Sequence, residues 1–255
     1  MNRKKRIKKF KKLSIISYKI TIFSIIILIK KIDLIQSNLN CQINITIKGK
    51  GDQYILYEKD LSTIDDKFEK TINYYPDQIY ANDILQDYKG NKVYNLTEEL
   101  NNISLIFNTK LLYMKAMFAD LNNIISIDFS NCDTSMVTNM EFAFANCRSL
   151  VSLNLNNFNS SLVNNMLCTF CNCSSLQLLN LDYFDTSRVT IMREMFSGCT
   201  SLISLNLSNF KTPLVYNMRA MFSLCISLIS LDISNFDTSS VTFMNYMFYK
   251  CNSLK

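Results

Sequence analysis

Apolar residues return along the second half of the chain with a period of 26. Take Leu121, Cys147, Cys173, Cys199, Cys225 and Cys251 as offset zero. Leu or Ile then stands at offset 3 (Ile124, Leu150, Leu176, Leu202, Leu228, Leu254) and at offset 6 (Ile127, Leu153, Leu179, Leu205, Leu231). Offset 8 holds Phe129, Leu155, Leu181, Leu207 and Ile233. Offset 11 is Phe158, Phe184, Phe210 or Phe236, with Cys132 in the first repeat. Offset 16 is Val, offset 19 is Met and offset 23 is Phe in all five repeats. A degenerate repeat precedes these and ends in Met114, Met117 and Phe118.

The pattern within a repeat changes period. L-x-x-L-x-L alternates at offsets 6 and 8, which predicts a short strand. The Asn-Phe-Asp-Thr that follows is turn chemistry. V-x-x-M-x-x-M-F-x-x-C then spaces its apolar residues as a helical stripe, α or 3₁₀. Pro213 suits a first helical position, so Thr212 is expected as an N-cap, and by phase Thr134, Ser160, Thr186 and Thr238 as well. One such unit buries too little apolar surface to offset the entropy of ordering it, so neighbours must stack.

The expectation is an α/β fold. Residues 101–255 should form a leucine-rich-repeat-like right-handed solenoid of 26-residue rungs, each a short parallel strand plus a short helix, with about five full rungs and partial ends. Residues 38–100 carry no repeat. Their alternation in Ile43-Asn44-Ile45-Thr46-Ile47, and a turn at Lys89-Gly90-Asn91 between Tyr88 and Val93, predict a small β-rich N-terminal cap. The sequence stops just inside a new rung, at Cys251-Asn252-Ser253-Leu254-Lys255. The last face is therefore expected to be covered by further rungs or by a partner.

Charge separates a leader from the rest. The net charge is +6, but residues 1–37 hold eleven Lys/Arg against Asp33 alone, a net of +10, leaving −4 for residues 38–255. With no basic run outside the leader, no nucleic-acid partner is expected. The leader has a basic start from Arg3 to Lys12 and an uncharged run from Ile20 to Ile29, bounded by Lys30 and Lys31. That length suits a signal peptide. A signal anchor over 13–29, with Lys19 snorkelling, also fits and would attach the chain to a membrane. Either way the protein is expected to be secreted or displayed at the cell surface. Six N-x-[ST] sequons begin at Asn44, Asn95, Asn102, Asn159, Asn172 and Asn206 and matter only in a secretory route that glycosylates.

Composition removes most catalytic chemistry. The chain of 255 residues has no histidine and four glycines. It contains no His triad, no HExxH site and no glycine-rich phosphate loop. No catalytic residue, no cofactor and no metal is expected. Cys168-x-x-Cys171-x-Cys173 has the look of a zinc cluster but lacks a second ligand pair. The in-phase cysteines read as a buried ladder of reduced thiols, since side chains in register point the same way and do not converge into bridges.

The run Ser201-Leu-Ile-Ser-Leu-Asn-Leu-Ser-Asn-Phe210 and the run Phe184-Asp-Thr-Ser-Arg-Val-Thr-Ile-Met-Arg-Glu-Met-Phe196 resemble the repeats of BspA-like leucine-rich-repeat surface proteins. They are closer still to the sister repeat of mycoplasma-type surface lipoproteins. The likeness covers about residues 103–255. It implies a curved solenoid, export, and a part in adhesion or surface display, and it implies no enzyme. A lipoprotein box is not convincing at Cys41, which lacks the small residue before it.

Offset 7 lies between two inward strand positions and should face outward. It reads Asp128, Asn154, Asn180, Asn206 and Asp232, beside a mostly serine row at offset 5. This polar stripe is the candidate ligand-binding strand face, against the plainer reading of a solvated asparagine ladder. The expected function is a non-catalytic binding or adhesion module for a protein or glycan on another cell or matrix. The alternative is a structural coat protein that self-associates end to end through its uncapped end.

Overall fold

The computed structural model describes residues 41–57, 75–86 and 91–255. The basic leader and Tyr88, Lys89 and Gly90 of the expected turn lie outside the described residues. Residues Asn40–Lys255 form one compact unit.

The alternation near the start does make a strand. β1 (Cys41–Lys48) buries Cys41, Ile43, Ile45 and Ile47 on one face. The strands that follow are β2 (Gly51–Tyr54), β3 (Gln78–Ala81), β4 (Ile84–Leu85), β5 (Lys92–Leu96), β6 (Leu100–Phe107) and β7 (Ile124–Cys132). Three-residue strands β8 (Ser152–Asn154), β9 (Ser204–Asn206) and β10 (Ser230–Asp232) mark later repeats. A six-stranded mixed sheet has the order β4-β3-β6-β1-β7-β8. β1 is antiparallel to both β6 and β7, and β8 joins β7 in parallel. β2 pairs with β5 and β9 with β10 as separate two-stranded sheets. Thus the sheet of the N-terminal segment runs directly into the first repeat. Cys41 is opposite Cys132 and bonded to it as a disulfide. The Cys at offset 11 of the first repeat has a purpose that repeat phase alone does not reveal.

The expected α/β leucine-rich-repeat-like right-handed solenoid with short helices is not what forms. The described residues contain no helix, and the strands lie in a mixed sheet and two small pairs. The Leu178-Leu179-Asn180 segment, in phase with β8 and β9, is not a strand. What the repeat does produce is register. Ile127 pairs with Leu153 and Leu205 with Leu231, at equal offsets. Parallel bridges also join Asn139 to Asn165, Asn165 to Ile191, Ile191 to Asn217 and Asn217 to Phe243.

The stretch that reads as a helix is a run of tandem turns. Met140, Phe142, Phe144 and Asn146 send their N–H groups to carbonyls of Asn165, Leu167, Thr169 and Cys171 in the next repeat, at 2.8–3.0 Å. The residues between them close turns three residues back, as Ala143 N–H does on Met140 O at 3.0 Å. Each repeat bends its backbone into the left-handed region at offsets 21 and 25, for example at Phe142 (φ 57°) and Asn146 (φ 60°) or Glu194 (φ 56°) and Gly198 (φ 74°). A right-handed helix tolerates no such residue in its interior. A helix also satisfies its own backbone groups, whereas these turns spend theirs between repeats. The apolar spacing is compatible with both, because a turn every four residues returns a side chain to the same face.

The threonines expected as N-caps do a different job. Thr186 Oγ1 donates to Lys211 O and accepts from Lys211 N–H, both at 2.8 Å. Thr212 does the same with Asp237 at 2.9 and 2.8 Å, and Ser160 with Asp185 at 3.1 and 2.8 Å. These hydroxyls, and that of Thr134, are buried. Each ties one repeat to the next by two hydrogen bonds, so the position needs a hydroxyl for stacking rather than for capping.

The core is built of side-chain ladders. Phe118, Phe144, Phe170, Phe196, Phe222 and Phe248 stack with ring centroids 5.5–5.9 Å apart and planes within 11° of parallel. Val and Met at offsets 16 and 19 are fully buried through Val215 and Met218. Full burial of such a side chain is worth about 1.5–3 kcal/mol, and repetition multiplies it.

Candidate functional site

The strand face is made by short strands whose leucines at offset 6 point inward. Leu153, Leu179 and Leu205 are buried, while Ser152, Ser204 and Ser230 beside them are exposed. Parallel pairing sets Asp128 opposite Asn154 and Asn206 opposite Asp232. The expected row at offset 7 therefore exists at both ends of the face. Asn180 holds the matching place in the repeat that lacks a strand, and it is exposed.

Each of these five side chains has a structural duty. The Oδ1 atoms of Asp128, Asn154, Asn180, Asn206 and Asp232 accept N–H bonds from Ser130, Asn156, Asp182, Ser208 and Ser234, at 2.8–3.2 Å. This is the Asx turn that ends each strand. Asn154 Nδ2 also donates to Asp128 Oδ1 at 2.9 Å, and Asn206 Nδ2 reaches Asp182 Oδ1 at 3.3 Å. The N–H of Ser234, then its hydroxyl, holds the Asp232 carboxyl below the usual range. Half of each Asx side chain is thus committed to the turn, and the remaining oxygen or amide faces solvent.

A second stripe escaped the sequence reading. Val151, Ile203 and Ile229 at offset 4 are 54, 44 and 48% exposed. Gln177 fills that offset in the third repeat, where Leu178 (69%) and Tyr183 (70%) supply the apolar surface instead. The signal was present as an outward apolar residue every 26 positions, masked by the stronger inward pattern beside it. The face is therefore an apolar stripe, a serine row and an Asx row side by side.

The cysteine ladder is closed to chemistry. The thiols of Cys147, Cys173, Cys199 and Cys225 are free and buried, and each donates to the carbonyl of a phenylalanine 29 residues earlier. Burial pushes Cys147 and Cys225 up to about 12 and holds Cys173 and Cys199 well above the usual thiol range. Cys168 and Cys171 sit in a separate cluster with Ala116, Ala119 and Ala145. Hydrogen bonding with Cys171, then burial, raises the Cys168 thiol. Thiols of this kind are poor nucleophiles. Among the described residues no group of three or more Cys, Asp or Glu side chains is arranged to hold a metal ion. Lys115 and Glu141 form a nearly buried ion pair at 3.3 Å, with Asn165 Nδ2 also on Glu141 at 3.2 Å. This trio braces the first repeats.

Comparison with curated proteins finds no match, and comparison with solved structures finds none. One family model matches three overlapping segments, residues 68–180, 112–204 and 168–255. Their overlap follows from the repeat, and together they span most of the chain. The chain belongs to the family described as "Mycoplasma protein of unknown function, DUF285".

Proposed function

We propose that this is an exported, non-catalytic binding protein that holds an extended protein or glycan along its strand face. One observation carries the reading: the same outward surface is presented again in each repeat, in register, by stacking. Short serine and Asx side chains cost little entropy to fix, and a shallow repeated face suits a long ligand better than a small molecule. The exposed Val151, Ile203 and Ile229 add apolar contact next to the polar rows. The likeness to BspA-like surface proteins supports an adhesive role. The Cys41–Cys132 disulfide supports an oxidising location, as does the basic, apolar leader.

The test is binding of the purified chain to host cells, matrix proteins and glycans. Substitution of the Asx row removes a turn acceptor as well as a contact. Ser204→Arg and Ile203→Glu are cleaner, because neither side chain bonds within the fold. Both should weaken binding, and more so when combined across repeats, as multivalent contact does. Binding that survives both unchanged places the ligand elsewhere.

A further inference from the structure

The tandem turns stack with a fixed polarity. N–H groups at offsets 19, 21, 23 and 25 of one repeat donate to carbonyls of the following repeat: Met192 to Asn217, Glu194 to Arg219, Phe196 to Met221 and Gly198 to Ser223, at 2.8–2.9 Å. The same four offsets do so at every junction from Met114 onward. The carbonyls at offsets 19, 21 and 23 are turned back into their own repeat, as Met140 O, Phe142 O and Phe144 O accept from Ala143, Ala145 and Cys147. A repeat therefore has a donor edge facing forward and an acceptor edge facing back.

The two ends of the stack differ accordingly. At the back, Met117 O already accepts Tyr57 N–H at 3.0 Å, and Ile55 and Leu56 are buried. At the front, the N–H groups of Met244, Tyr246, Phe248 and Lys250 have no acceptor among the described residues. Met244 and Phe248 are each 41% exposed, whereas their equivalents Met218 and Phe222 are fully buried.

We propose that this front edge docks a protein segment carrying the same 26-residue repeat, which arrives with its carbonyl row facing the edge. The contact would continue an interface that the chain already makes at each junction. A segment of the same motif sets a phenylalanine on Phe248 at the spacing of the existing stack, and four carbonyls on four donors. A second copy of this chain is a poor occupant. Front against front opposes donors to donors, and front against back meets a row that Tyr57 has engaged. The edge thus favours a different repeat-bearing chain over self-assembly. This surface is separate from the strand face, so either reading can fail alone.

The experiment titrates the full chain with a synthetic peptide of residues 210–236, and with a scrambled peptide of equal composition. The repeat peptide should bind at one to one and slow amide exchange at Met244, Tyr246, Phe248 and Lys250. Phe248→Asp should weaken it at least tenfold, and the scrambled peptide should not bind. The same repeat appended after Lys255 should slow those four amides whatever the peptide's solubility. No binding, equal binding of both peptides, four amides still unprotected under the appended repeat, or a dimer of the full chain that buries Phe248 each overturns the proposal.

Discussion

The thiol of Cys199 donates a hydrogen bond to the main-chain carbonyl of Phe170, 3.1 Å away and 29 residues earlier in the chain. Both groups are fully buried, and the same bond recurs at Cys147, Cys173, Cys225 and Cys251. The cysteine at offset zero is thus a small apolar residue with one donor, aimed at a carbonyl that water cannot reach.

Removing that donor leaves the carbonyl unsatisfied, which costs about 1–3 kcal/mol. Cys199→Ala should lower stability by about that amount in urea unfolding, and Cys199→Ser, which keeps a donor, should lose less. If serine costs more than alanine, volume and polarity at the site outweigh the hydrogen bond. In the native protein the ladder thiols should resist maleimide, and all seven free cysteines should react once the chain is unfolded.

Alkaline pH acts on the same groups. Burial holds Cys147 and Cys225 up to about 12 when folded. An unfolded thiol titrates near ~8.5. A raised folded value means that the contribution is fully present below ~8.5 and is lost as pH rises toward ~12. Stability should be level from neutral pH to about 8 and fall beyond it. Tyr and Lys side chains also titrate there, so the comparison is with a Cys173→Ser, Cys199→Ser variant. A gap between the two chains that does not change with pH would show that thiol burial is not the cause.

Thr186 offers a parallel test with a hydroxyl. Its Oγ1 both donates to and accepts from Lys211, at 2.8 Å each way. Thr186→Val keeps the shape and deletes both bonds, leaving two buried backbone groups without a partner. The expected loss is about 2–4 kcal/mol, at about 1–3 kcal/mol per unsatisfied group. Thr186→Ser should recover most of it. A helix N-cap would instead be rescued by Asn or Asp. Those residues cannot both donate and accept here, and their failure to rescue separates the two roles by urea titration.

The stacking register was legible in the sequence because every fixed offset is a ladder in space. Val163 above Val137, Met166 above Met140 and Phe170 above Phe144 need only the period. The strand at Cys41–Lys48 was legible from simple alternation. The helix was a wrong inference with a physical cause. Spacing at Val, Met, Met, Phe and Cys describes which side chains turn inward, not where backbone N–H groups go. One clue was available: Asp120, Asn146, Asn172 and Gly198 share offset 25, and these are the residue types that accept a left-handed backbone most readily. Offset 21, with Phe142, Glu194 and Ala220, gave no such sign. The offset 7 row was placed correctly on the strand face, but its Asx turns were not foreseen. The Cys41–Cys132 bridge joins two residues that each looked like an exception to another pattern.

That bridge supports the last prediction. It closes a separation of 91 residues and fastens the start of β1 to the end of β7. β1 is the centre of the mixed sheet, bonded on one side to β6 and on the other to β7. Losing a native disulfide typically costs about 2–5 kcal/mol. In a stack where each repeat touches only its neighbours, the effect should fade with distance. Amide exchange after Cys41→Ala with Cys132→Ala should therefore quicken most in β1, β6 and β7 and least in β9 and β10. A mild reductant should reproduce the pattern in the native chain and do nothing to the variant, because the other cysteines are already thiols. Uniform acceleration from β1 to β10 would mean that the array unfolds as one cooperative block, with the disulfide acting on the unfolded chain as a whole.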